Sequence, residues 1–323
     1  MKGLRNADRT APRAEVRIAT VDEAAADQRI DNFLLRTLKG VPRTHVYRLL
    51  RSGEVRVNSR RADAAYRVQP GDRLRIPPLR MPSKAPSARM PGPVRLAPRL
   101  IHEDEALVVL DKPPGWAVHG GSGVSRGIIE QLRAERPEWR FLELVHRLDR
   151  ETSGVLLIAR KRSALLELHR QLREGETEKF YLVLVRGHWR DAKRHVRLAL
   201  EKRVTPAGER RVRVSREGQV AHTVLRLVKR WKEFSLLEAE LRTGRTHQIR
   251  VHLAHLGFPI AGDDKYGDFE LNKALARQGL KRMFLHAHRM VLRHPATGAA
   301  AEFVSPLAPD LRTFLDRLDA QAL

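Results

Sequence analysis

Apolar residues near the start of the chain recur with two different periods. Ile30, Phe33, Leu34 and Leu38 fall on one helical face and predict a helix over 29–38. Gly40, Val41 and Pro42 break it. Thr44 is placed to cap a second helix, with Val46, Leu49 and Leu50 inward and His45, Arg48 and Arg51 outward. Gly53 ends that helix, and the period then drops to two. Val55 and Val57 alternate with Glu54 and Arg56, and Leu74 and Ile76 with Arg73 and Arg75, which predicts short strands with turns at Asn58-Ser59 and Gly71-Asp72.

From Arg99 onward the pattern is richer in strands. Strands are predicted at 106–110, 156–159, 180–185, 220–228, 234–241 and 290–292, and helices at 128–134 and 163–172, with a turn at 111–115. Strands outnumber helices and many alternate. The fold class expected is α+β, with a central mixed, mainly antiparallel sheet flanked by helices. Between the two patterned regions, Pro77, Pro78, Pro82, Pro86, Pro91, Pro93 and Pro98 stand among Ser, Lys and Arg, and form no core. The expected organisation is a disordered start (1–16), a small basic domain (17–77), an extended linker (78–98) and one large domain (99–323). Such a linker lets one domain hold a long ligand while raising its effective concentration at the other.

Charge narrows the partners. Among 323 residues, 62 Lys and Arg face 38 Asp and Glu, a formal charge of +24, and the first hundred residues are the more basic per residue. Such an excess points to a polyanion, most often nucleic acid. No run of about 18 apolar residues offers a membrane span. The polar, basic segment before Arg17 does not resemble a secretory signal. With no cysteine there is neither disulfide nor thiolate metal site, and a cytoplasmic setting is expected.

The chemistry concentrates at His146-Arg147-Leu148-Asp149-Arg150-Glu151-Thr152-Ser153-Gly154, just ahead of an apolar strand. A lone carboxylate between two arginines is expected to stay ionised, and a positioned carboxylate can act as nucleophile or base. Three more segments stand out: Lys179–Val185, with Tyr181 near its start; Thr243–Leu253, a glycine turn leading into a polar helical segment with Arg245, His247 and Arg250; and Gly262–Asp268, followed by Leu285-His286-Ala287. His247, His252 and His255 lack the spacing and carboxylate of a zinc hydrolase. Gly120-Gly121-Ser122-Gly123 lacks the Gly-Lys-Ser/Thr ending of a phosphate loop, and no Rossmann fingerprint follows a strand.

Two resemblances follow from these residues. Arg29-Ile30-Asp31, the stretch Arg48–Asn58 and Gly71-Asp72 resemble the S4 RNA-binding domain over about 27–77. The Asp149 motif, Thr243–Leu253, Ala117–Gly123 and Phe141–Val145 resemble the RluA-type pseudouridine synthases, from about 100 to 311, in order and spacing. One departure is Asp111, where the family usually has Asn before Lys-Pro-x-Gly; it falls in the expected turn.

The resemblance implies an isomerase that detaches uracil from its ribose, rotates it and rejoins it through carbon 5, with no cofactor and no metal. It implies Asp149 as the catalytic aspartate, acting on the sugar directly or by a glycal route. Arg250 pairs with it, and Tyr181 stacks on the target base and is a candidate to take the carbon-5 proton. Arg147 fills the space left by a flipped-out base, while His146 is structural. Further RNA contacts are expected from Arg43, Arg48, Arg51, Arg245 and His247. The implied substrate is uridine in 23S ribosomal RNA or an early large-subunit precursor, at several positions, handled by a monomer. Competing readings are a non-catalytic S4-type RNA-binding protein, a synthase acting on tRNA or another RNA, and an S4-carrying methyltransferase. The last needs a glycine-rich cofactor loop that this sequence lacks.

Overall fold

The computed structural model describes residues 16–38, 41, 43–79, 95–96, 99–120, 127–204 and 210–321. Nearly all of the expected disordered start and of the proline-rich linker lies outside the described residues, as does most of Gly120–Gly123. The chain divides into two units, Met1–Ser87 and Ala88–Leu323.

The first unit runs β1 (Arg17–Thr20), α1 (Ile30–Thr37), α2 (Arg43–Ser52), β2 (Arg56–Val57), β3 (Arg60–Arg61) and β4 (Arg73–Ile76). Its sheet has the order β1-β4-β2-β3. The helices form where the apolar spacing predicts. Ile30, Phe33 and Leu34 of α1 and Val46, Leu49 and Leu50 of α2 are buried together with Val55, Leu74 and Ile76. Helix α2 already includes Arg43, so Thr44 lies inside its first turn rather than capping it. Asn58 and Ser59 both take positive φ (48° and 69°), as a two-residue hairpin between β2 and β3 requires. β1 follows no apolar alternation; it forms by pairing with β4.

The second unit contains β5 (Leu100–Glu103), β6 (Leu107–Lys112), α3 (Ile128–Glu135), β7 (Glu143–Leu144), β8 (Ser153–Ala159), α4 (Arg162–Glu174), β9 (Glu178–Arg186) and β10 (Lys193–Arg197). It continues with β11 (Leu200–Val204), β12 (Arg210–Val214), β13 (His222–Arg230), β14 (Phe234–Leu241), α5 (Gln248–His255), α6 (Phe269–Arg277), β15 (Leu285–Arg293), β16 (Ala300–Val304) and α7 (Pro309–Ala320). Among the described residues ten strands form one sheet in the order β10-β13-β14-β9-β15-β8-β6-β5, with β16 added on β15 and β7 on β8. Among the described residues only the β15–β8 pair is parallel. β11 and β12 form a separate hairpin.

β8 is buried along its whole length because helices cover both faces of the sheet. Leu110, Leu156 and Ile158 pack with Ile128 and Leu132 of α3. Val109, Val155 and Leu157 pack with Leu165 and Leu168 of α4 on the other side. Asp111 is not in a turn: β6 runs through Lys112, paired with Gly154, and Asp111 accepts the Ser305 hydroxyl at 2.8 Å. Among the described residues no helix is long and apolar enough to cross a membrane.

Candidate active site

Asp149 lies in the turn that delivers the chain into β8, where the sheet's parallel pair begins. Gly154 allows the approach. Its φ is 109°, and a Cβ there would stand 2.2 Å from the Ala287 carbonyl oxygen on β15. Below the turn, the fully buried Lys112 donates from Nζ to the carbonyls of Pro113 (2.8 Å) and Arg150 (3.0 Å). Arg150 Nε in turn donates to the Gly115 carbonyl at 2.9 Å. Burial pushes the Lys112 ammonium down to about 7, against the opposing charges of Glu151 and Asp149.

The aspartate is held from across the unit by Arg250, on the buried face of α5. Arg250 Nη1 donates to Asp149 Oδ2 at 3.1 Å. Its other edge is locked to the fully buried Asp263, Nε to Oδ2 and Nη2 to Oδ1, both at 2.7 Å. Such a fork fixes the plane of a guanidinium as well as its place. Asp263 Oδ1 also accepts the backbone N–H groups of Lys265 and Tyr266. Burial opposes charge on Arg250, yet its bonds to Asp263, reinforced by Asp149, carry its pKa upward overall. The Asp149 side chain keeps 25% of its surface exposed, facing a cleft of about 740 Å³.

Five further candidates line the same cleft: Tyr181, Arg147, Arg245, His247 and the inner edge of Arg250 itself. Tyr181, on β9, is buried, and among the described residues its hydroxyl makes no hydrogen bond. Burial, then the Asp149 charge, pushes its phenol above the usual range, so it stays protonated at neutral pH. Arg147 is exposed and, among the described residues, unpaired; it is not a partner of Asp149. It also lines an adjoining cavity of about 350 Å³, shared with Arg245. His247 caps the start of α5, with Nε2 3.8 Å from Asp149 Oδ1. His146 accepts the Leu157 N–H through Nε2, and burial lowers its pKa to about 4.

Arg48 and Arg51 are exposed on α2, in the first unit, with Arg48 bonded to His45. The Arg43 side chain lies outside the described residues. Of the histidines with a conceivable metal role, His252 is buried and bonded to Thr223 and the Leu198 carbonyl. The group close enough to share an ion, among the described residues, is His102, Asp104 and His294. There both imidazoles bond Asp104 Oδ2 at 2.8 Å, away from the residues that line the cleft.

Residues 106–255 match the family model for RNA pseudouridylate synthase, and residues 28–74 that for the S4 domain. The chain is 49% identical to ribosomal large subunit pseudouridine synthase C of Pasteurella multocida (strain Pm70) over 309 residues, covering 95% of each chain. It is likewise 49% identical to the protein of that name from Escherichia coli (strain K12), covering 95% of this chain and 97% of that one. Among solved structures, Human RNA Pseudouridylate Synthase Domain Containing 4 superposes with a TM-score of 0.57 at 27% identity, covering 69% of this chain and 94% of that one.

Proposed function

This chain belongs to the RluA-type RNA pseudouridine synthases and carries an S4 domain, and from that premise we propose that it isomerises uridine to pseudouridine in 23S ribosomal RNA, at several positions, with Asp149 as the catalytic group. The relatives from Pasteurella and Escherichia carry a large-subunit ribosomal name, which supports that substrate. The enzyme works in the cytoplasm as a monomer without a cofactor, on the RNA or an early large-subunit precursor.

One observation carries the catalytic reading: an aspartate whose one oxygen is tied to a doubly held arginine while its other oxygen faces a cleft of about 740 Å³. Breaking a glycosidic bond builds positive character on the sugar, and a carboxylate fixed in advance stabilises it without reorganising. A uridine inside folded RNA reaches such a group only by leaving its stack. Arg147, exposed and unpaired at the rim, is free to occupy the vacated space. Tyr181 offers a ring on which the base stacks, worth about 1–3 kcal/mol. Stacking does not depend on the phenol's proton, so this part of Tyr181 stands beside its candidacy to take the carbon-5 proton. Arg245 at the rim, with Arg43, Arg48 and Arg51 on the S4 domain, supplies phosphate contacts that fix register rather than sequence.

The test has two arms. Pseudouridines in large-subunit ribosomal RNA, mapped by carbodiimide-dependent reverse-transcription stops, should disappear at a few positions in cells lacking the gene. Asp149→Asn should fail to restore them while holding RNA within a few-fold of the wild-type affinity. Restored pseudouridine would reject the role given to Asp149.

A further inference from the structure

His247 opens α5 in the left-handed region, with φ 53°. That conformation costs a non-glycine residue about 1 kcal/mol or more and persists where surrounding contacts fix it. Here the contact is Tyr266. Its Oη accepts the Val212 N–H at 2.9 Å and lies 2.8 Å from His247 Nδ1. A phenol has one proton to give, and among the described residues Nδ1 is the acceptor bonded to this oxygen. In the tautomer that puts this proton to use, Tyr266 donates to Nδ1. Burial, above all, lowers the His247 pKa; Arg250 and Lys265 add to it, while Asp149 and Asp263 oppose. The ring is thus neutral at pH 7, and its own proton sits on Nε2.

That Nε2–H faces Asp149 Oδ1 at 3.8 Å. The gap is too long for a hydrogen bond, and one oxygen at about 2.8 Å from each side spans it. The two groups are chemically opposite. Nε2–H only donates and a carboxylate only accepts, while Arg250 already holds the other carboxylate oxygen. An oxygen that bonds both accepts from one and donates to the other, as a hydroxyl or a water molecule does. On an extruded nucleotide whose anomeric carbon lies by Asp149, the neighbouring hydroxyl is the ribose 2′-OH, the group that distinguishes RNA from DNA.

We propose that His247 and Asp149 bracket the 2′-hydroxyl of the target uridine, and that Tyr266, by fixing the imidazole tautomer, makes His247 the residue that selects ribose. This rests on the reading of Asp149 given above. His247 acts here through binding, which separates its test from the test of catalysis.

The experiment uses the full-length protein and two RNA oligonucleotides spanning a mapped target. They are identical except for uridine or 2′-deoxyuridine at that position, and their affinities are compared by competition. Wild type should prefer the ribonucleotide by about 5- to 10-fold, the value of one hydrogen bond of about 1–1.4 kcal/mol. His247→Ala should bind both RNAs within about twofold of each other, on the same scale. Tyr266→Phe, which keeps the ring and frees the tautomer, should lose most of the preference. His247→Gln, whose amide N–H replaces Nε2–H, should regain part of it. An unchanged preference in His247→Ala and Tyr266→Phe, both melting as wild type does, overturns the proposal. If Asp149→Asn were active, the catalytic reading would fall instead; if it is inactive while His247→Ala still prefers ribose, only the present inference falls.

Discussion

Asp263 touches no substrate, yet its removal should be among the most damaging single changes to the cleft. Its carboxylate accepts four hydrogen bonds, two of them from Arg250 at 2.7 Å and two from backbone N–H groups. In Asp263→Asn the amide oxygen can keep the bonds at Oδ1. The new NH2 then meets Arg250 Nε, donor against donor. Breaking one side of a buried ion pair costs about 3–5 kcal/mol. Arg250 retains Asp149, which argues for the lower end, about 3 kcal/mol. For a domain of this size, at about 2–4 °C per kcal/mol, the melting temperature should fall by about 6–12 °C. Activity should fall about 100-fold, because an arginine displaced by about 1 Å no longer aims Asp149. The effect has a pH signature. Burial opposes charge on Asp263, but Arg250, with the backbone donors, lowers its pKa overall. A depressed folded pKa gives stability that is full above the ordinary carboxylate value of about 3.9 and is lost as pH falls through the folded value. The gap between wild type and variant should therefore be widest near neutrality and shrink in strong acid. Thermal melts from pH 7 downward, with tritium release from 5-tritiated uridine RNA, measure both. A variant that melts within about 2 °C of wild type at pH 7, less than 1 kcal/mol would produce, refutes the clamp.

Two further changes separate alternatives inside the cleft. Tyr181→Phe should retain activity within about tenfold, since stacking survives, whereas Tyr181→Leu should lose most of the roughly 1–3 kcal/mol that stacking supplies; single-turnover rates decide, and a Phe variant as inactive as Asp149→Asn would make the hydroxyl the proton acceptor. Lys112, whose folded pKa burial lowers to about 7, binds fewer protons folded than unfolded between that value and the ordinary lysine value of about 10.4. Its contribution should therefore strengthen with rising pH by at most about 1.4 kcal/mol per pH unit. Lys112→Met should lack that slope in urea titrations at pH 7, 8 and 9, and parallel curves for the two proteins would refute it.

The elements that the chain announces are those whose own side chains make the core. α1, α2, α4, β8, β9 and β14 each carry an apolar face at the right period, and each forms within a few residues of the expected place. The elements missed are made by their neighbours. β11 and β12 read as Leu200-Glu201-Lys202-Arg203-Val204 and Arg210-Arg211-Val212-Arg213-Val214, with too few apolar residues to signal a strand; they exist because each pairs the other. β10 is exposed apart from Val196 and is held by its ladder to β13. Asp111 was expected in a turn because Pro113, Pro114 and Gly115 follow it. Pairing with Val155 carries the strand two residues further than local propensity allows.

The site divides along a different line. Asp149 stands out in the chain as a carboxylate between arginines just ahead of an apolar strand, whereas the parts given to Tyr181, Arg245, His247 and Arg250 come from the family resemblance of the segments that hold them. Asp263 and Tyr266 fall in a segment that stands out in the chain, Gly262–Asp268, but their separate roles do not, and Lys112 reads only as part of a turn. Nothing local separates a loop aspartate that is solvated from one that is fully buried and holds an arginine from 13 residues away. The same holds for a lysine that binds the carbonyl of a residue 38 positions on. Their effect lies in the desolvation of paired charges, which arises only once β6, β8, α5 and the loop after it are packed. The catalytic part proposed for Asp149 needs such partners, because an aspartate left to itself in a cleft of this size would be held by water, and water must reorganise as charge develops on the sugar. A guanidinium locked on its far edge by Asp263 has no such freedom, and the rigidity of Asp149 is thereby inherited from residues that never meet the RNA.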